Sequence, residues 1–87
     1  MIYWDNEKNH KLIAEREISF EKISEIILRE EYLDILENPS RKEQYIFIIY
    51  LRDYIYAVPF LIDEQENIVL KTAYPSRKFF KIYGESL

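Results

Sequence analysis

Ile68-Val69-Leu70-Lys71-Thr72-Ala73-Tyr74-Pro75-Ser76-Arg77-Lys78-Phe79-Phe80-Lys81-Ile82-Tyr83 is the stretch on which the fold turns. Residues 68–74 are rich in β-branched and aromatic side chains, which suit a pleated, half-buried surface and predict a strand. Pro75 has no N–H to give to a ladder and marks the strand's end. Ser76 is a helix N-cap, because its hydroxyl can accept from the orphan N–H groups of a first turn. Arg77, Lys78 and Lys81 then fall on a short helix with Phe80 and Tyr83. From Lys71 to Lys81 there are four cations and no carboxylate, in a chain whose net charge is −4. Such a concentration at a strand's end suits a bound phosphate or an acidic partner, and the alternative is a solvated basic helix face.

Upstream of that stretch, Asp63-Glu64-Gln65-Glu66-Asn67 reads as a polar hairpin loop. Residues 54–62 form the strand before it, and Pro59 within that strand points to a bulge or an unpaired stretch. Arg52-Asp53 is a candidate tight turn without the glycine that favoured hairpins use, although Asp tolerates positive φ better than most residues. Residues 45–51 are apolar on nearly every position. That pattern fits a central strand covered on both sides, or a strand with one aromatic face turned to a partner. Residues 32–36 read as a further strand, closed by the turn signal Asn38-Pro39-Ser40.

The front of the chain is helical after a short strand at residues 2–4. Asp5 is an N-cap for a helix over residues 6–16, mostly polar, with Leu12 and Ile13 as its apolar anchors. Ser19 caps a second helix in which Phe20, Ile23, Ile26 and Ile27 follow helical spacing. The predicted order is β-α-α-β-β-β-β-α: an α+β architecture, with a mainly antiparallel sheet and the helices on one face.

Eighty-seven residues make one domain. Charged residues are 32% and hydrophobic residues 48%, a globular balance that excludes a disordered chain. Cysteine is absent, which removes disulfides and thiolate chemistry and permits a reducing cytoplasm, the expected location. No signal peptide is visible, and no apolar run is long enough to span a membrane. Residues 1–43 carry eleven acids and seven Lys/Arg, and residues 44–87 carry five of each. The acidic total argues against a general nucleic-acid coat and leaves one basic patch near the end.

Trp4-Asp5-x-x-Lys8, Ile18-Ser19-Phe20-Glu21 and the late strand ending in Ser76-Arg77 resemble the BrnT family of bacterial type II toxins. The resemblance implies a compact RelE-like α+β fold over residues 1–87. Its features are two N-terminal helices packed on a mainly antiparallel sheet of four to five strands, and a short C-terminal helix. It further implies a metal-independent ribonuclease that needs no cofactor, inhibits growth, and is neutralised by a cognate antitoxin. Its other partners would be RNA and, through the antitoxin alone, operator DNA. Glu15, Arg16 and Glu17 stand where the family usually has Lys-His-Gly, and Leu12 where it has an Asn. Pro75-Ser76 replaces Ser-Ala, and Lys71 lies six positions before Arg77 where the family's Arg lies five before.

Metal-independent RNA cleavage needs a base for the 2′-hydroxyl, an acid for the leaving oxygen, and cations for the phosphate. Arg77 is the first candidate for phosphate clamp, because its planar fork can hold two oxygens; a surface salt bridge is the competing role. Lys71 and Lys81 can add charge or serve as acid. Tyr83 and Tyr74 can donate a proton or stack on a base, against a plain core or interface role. His10, the only histidine, is a candidate acid/base by its ordinary pKa. Arg16, Lys78 and Arg52 are candidates for substrate binding. The eight tyrosines exceed what a small core needs, which fits a partner interface or an RNA-stacking sheet, and the acidic balance favours the protein partner. No glycine-rich phosphate loop and no metal-ligand spacing is present. The competing function is a non-catalytic binding module on the same scaffold.

Overall fold

The computed structural model describes residues 1–87, the side chain of Ser86 excepted. Strand β1 (Ile2–Tyr3) leads into helix α1 (Asn6–Arg16) and helix α2 (Phe20–Leu28). Strands β2 (Asp34–Glu37), β3 (Gln44–Leu51), β4 (Tyr54–Ile62), β5 (Ile68–Leu70) and β6 (Tyr74–Pro75) follow, and helix α3 (Arg77–Tyr83) comes after them. The sheet has six strands in the order β1-β5-β4-β3-β2, with β6 beside β4 on the same side as β5. All pairings are antiparallel except β1 with β5.

The helix starts are set by the expected caps. The Asp5 carboxylate accepts from the N–H groups of Glu7 (2.7 Å) and Lys8 (3.3 Å). Ser19 accepts from Lys22 and Ser76 from Phe79, each at 3.1 Å. Each satisfies a donor that the first turn leaves without an intrahelical partner. Arg52 and Asp53 both take positive φ (52° and 60°), as the primed turn of a two-residue hairpin requires. With one glycine in the chain, the left-handed positions fall on charged side chains instead.

Glu17 is the clearest case. It ends α1 at φ 57°, and its N–H donates to the Ile13 carbonyl. This is the position where the resemblance puts glycine, which adopts that conformation without a Cβ penalty. Glu17 also meets Arg52 at 3.4 Å, but both side chains are exposed and such pairs contribute little. Glu17→Gly is therefore expected to raise stability by about 0.5–1 kcal/mol. Urea unfolding checks this, and a loss would show that the Arg52 contact outweighs the backbone term.

The two faces of the sheet carry different layers. Phe47, Ile49, Val58, Phe60 and Leu70 pack under α1 and α2 with Leu12, Phe20, Ile23 and Ile27. Ile46, Ile48, Ile55 and Ala57 face the other way and are covered by Phe79 and Tyr83 of α3. This corrects the expectation of helices on one face only: α3 crosses to the second face. It also explains the unbroken apolar run of β3, which is covered on both sides. Leu12 is buried as expected, whereas Ile13 is 46% exposed. The second anchor of α1 is Asn9, 3% exposed.

The long strand expected over residues 68–74 is interrupted at Lys71-Thr72-Ala73. Pairing on β4 runs from Phe60↔Leu70 to Ala57↔Tyr74, so those three residues oppose only Val58 and Pro59. The Pro59 carbonyl accepts from the Lys71 N–H at 2.9 Å, so the proline's missing donor faces this same edge. The ladder cannot continue past a residue with no N–H, and a bulge results. The β3–β4 register is continuous through Pro59.

Candidate functional site: a cation-lined cleft between α1 and the strand break

The interruption at 71–73 has a chemical consequence. It opens a cleft of about 360 Å³ between α1 and the β5–β6 segment, lined by Lys8, Lys11, Glu15, Arg16, Lys71 and Tyr74 among others. Residues 8, 11, 12, 15 and 16 share one side of a helix at 100° per residue. Leu12 turns inward from that row into the same buried cluster as Ala73, and both residues line the cleft, so the helix and the segment that carries Lys71 share one core.

Four cations and one carboxylate, Glu15, meet there, a local excess of three positive charges in an acidic chain. Among the described residues the ion pairs use Lys22, Arg29 and Arg52, so none of the four is neutralised by a carboxylate. Unpaired cations around a concave site focus a positive potential that suits phosphate oxygens. Tyr74, 39% exposed, adds an aromatic side chain beside them.

The cleft unites Lys71, Arg16 and Tyr74 from the expected set. Lys8 and Lys11 belong to it and were not foreseen, although their spacing with Arg16 on a correctly bounded helix was a usable signal. Arg77, Lys78 and Lys81 sit on α3 and are exposed. Arg77 lies three residues beyond Tyr74, at most about 11 Å along the chain. It takes no carboxylate partner among the described residues, so the salt bridge weighed against its clamp role is absent. Lys78 places its ammonium 5.6 Å from the centre of the Phe79 ring.

Three of the expected residues stand elsewhere. His10 is exposed and lies about 160–200° around α1 from Lys8 and Leu12, on the side of Glu21, whose carboxylate its charge helps to stabilise. Tyr83 donates its hydroxyl proton to Asp34 at 2.7 Å, linking α3 to β2. That bond to a carboxylate, with some burial, holds the phenol above its ordinary pKa. Arg52 projects from the β3–β4 turn toward Glu17.

A six-stranded α+β sheet with helices on both faces and a cationic edge cleft is the class of protein that these observations define. In fold it is similar to the ribonuclease toxin BrnT of Brucella abortus, whose crystal structure superposes with a TM-score of 0.63. Identity is 21%, over 86% of this chain and 94% of that one. No family model matches the chain, and no curated protein matches it in sequence. The mixed α+β fold is thus shared with the toxin to which the sequence resemblance pointed, with six strands in the sheet where four to five were expected.

Proposed function

We propose that this chain is a toxin ribonuclease of a type II toxin–antitoxin system, acting in the cytoplasm on RNA held at the α1–β6 cleft. The observation that carries the reading is the cluster of unneutralised cations on a fold similar to that of a ribonuclease toxin. Lys71 and Arg16, with Lys8 and Lys11, hold the phosphate and stabilise the charge that builds on it in the transition state. Arg77 adds a bidentate donor at the α3 end. The 2′-oxygen bonds to phosphorus as the bond to the 5′-oxygen breaks: Glu15, the carboxylate of the cleft, takes the 2′-hydroxyl proton, and a Lys ammonium or the Tyr74 phenol gives one to the leaving oxygen. All the charge stabilisation is thereby assigned to side chains. A cognate antitoxin would silence the protein by covering these cations.

The competing reading is a non-catalytic binding module. It is favoured by the place of His10, away from the cations, and by Arg16 at the position of the family's histidine. Expression under a tight promoter separates the two. The toxin reading expects growth arrest with RNA breakdown, and cleavage of naked RNA by the pure folded chain. Normal growth with intact RNA and soluble, folded protein would overturn it and leave the binding module.

A further inference from the structure

Away from the cationic cleft, the α1/α2 face of the sheet is only partly covered. Phe20, Ile23 and Ile27 of α2 pack on part of it, and Ile27 also borders the part left open. Toward the end of the strands away from the β3–β4 turn an apolar trough of about 550 Å³ remains open, with residues of all five strands from β2 to β1 in its walls. Its floor is a run of contacting rings, Tyr32–Phe47 (centroids 5.1 Å), Phe47–Phe60 (4.1 Å) and Phe60–Tyr45 (5.6 Å). Its rim is apolar and wet: Leu28 is 73% exposed and Ile62 48%. An apolar strip of this kind on a small chain marks an interaction surface.

Charge and length say what fits. Glu30 and Glu66 are the charged side chains of the walls, with no Lys or Arg among them; Met1, which bears the α-amino cation, lies at the β1 end and leaves the walls net acidic. The C-terminal end of α2, which carries a partial negative charge, borders the same trough through Leu28. Five strands about 4.8 Å apart make a span of about 19 Å, the length of about thirteen helical residues. The chain's own basic helix, α3, has seven residues and covers about half of that.

We infer that the trough is the docking site for an amphipathic helix of three to four turns from another protein, its apolar stripe flanked by Lys and Arg. The helix completes the layer that α2 begins and buries the ring floor, while its cations meet Glu30 and Glu66. This is a helix-in-groove mode, in which apolar anchors give affinity and flanking charges give orientation. The site is independent of the ribonuclease reading, since a folded chain that cleaves no RNA keeps it.

The test is a display selection on the full chain. The library holds fourteen-residue helical peptides with an apolar stripe at i, i+3, i+4 and i+7 and with Lys, Arg, Glu, Gln and Ala free at the other positions. Enriched peptides are expected to carry more Lys and Arg than Glu beside the stripe. They are expected to lose at least about tenfold in affinity on Leu28→Asp with Ile62→Asp. Both positions are exposed, so an unchanged melting profile shows that the variant is folded. Glu30→Gln with Glu66→Gln is expected to weaken binding about threefold or more and to flatten its salt dependence. Absence of enrichment, or peptides that are acidic or indifferent to Leu28→Asp, overturns the proposal. Self-association of the wild type that Leu28→Asp abolishes overturns it in favour of a second copy.

Discussion

Asn9→Ala is expected to destabilise the chain by about 2–3 kcal/mol, a drop of about 10 °C or more in melting temperature for a domain of this size. The reason lies in the corner between the two N-terminal helices. Phe20 opens α2 and is fully buried, so its N–H is an orphan donor with no water to turn to. Ser19 caps the helix but uses its hydroxyl on Lys22. The Asn9 side-chain carbonyl reaches across from α1 and accepts the Phe20 N–H at 2.8 Å. Its amide donates to a Glu21 carboxylate oxygen at 2.7 Å. Alanine removes both partners, leaves a buried donor unsatisfied, and opens a small void beside Leu12 and the tilted Trp4–Phe20 pair (5.9 Å).

A pH signature accompanies the loss. The Glu21 carboxyl lies below its ordinary pKa, first through the bond from Asn9, then through a backbone N–H, with a smaller contribution from His10. A depressed folded pKa gives stability that is present above the unfolded carboxylate value and is lost as pH falls through the folded one. The deficit of Asn9→Ala should therefore narrow in acid but not vanish, because the Phe20 part does not titrate. Asn9→Asp should keep an acceptor for Phe20 and yet set two carboxylates together, so its deficit should shrink more in acid than that of alanine. Urea unfolding at neutral and acid pH measures all three proteins. A neutral-pH loss below about 1 kcal/mol for alanine would mean that water or a shifted α1 satisfies Phe20 instead.

Asn9 also shows where reading from sequence stops. The boundaries of α1 and α2 were legible because Asp5 and Ser19 act on donors two or three residues away. The Arg52-Asp53 turn was legible because two continuous apolar runs are separated there by two charged residues. Asn9 was not, because a polar residue on a mostly polar helix looks like solvent face until the partner helix is placed. The strand break at 71–73 is caused by Pro59 on the neighbouring strand, so residues 68–74 alone read as continuous. The side taken by α3 depends on the path after β6, which no local pattern encodes. The cleft shares that limit: Lys8 and Lys71 are distant in sequence, and it is the folded core, which holds both Leu12 and Ala73, that brings their elements together.

If the chain is the ribonuclease proposed above, Lys71→Ala is expected to lower RNA cleavage by about a hundredfold or more, as removal of one preorganised charge donor commonly does. Arg16→Ala and Arg77→Ala should each fall in the same range if their side chains reach the same phosphate. Arg16 and Arg77 are exposed, Lys71 is half-buried, and none of the three has a carboxylate partner among the described residues. Their truncation should therefore leave melting almost unchanged, which separates a catalytic loss from a folding one. His10→Ala and Arg52→Ala serve as opposed controls, one on the far side of α1 and the other at the β3–β4 turn. Each should change cleavage less than about threefold. A lost transition-state contact should appear in kcat, whereas a lost ground-state phosphate contact should raise KM and reduce salt sensitivity. Full cleavage by a folded Lys71→Ala, Arg16→Ala double variant would remove the cleft from the mechanism. If His10→Ala were the inactive one, the reaction would belong at the α1–α2 corner, and the cations would serve only to attract RNA.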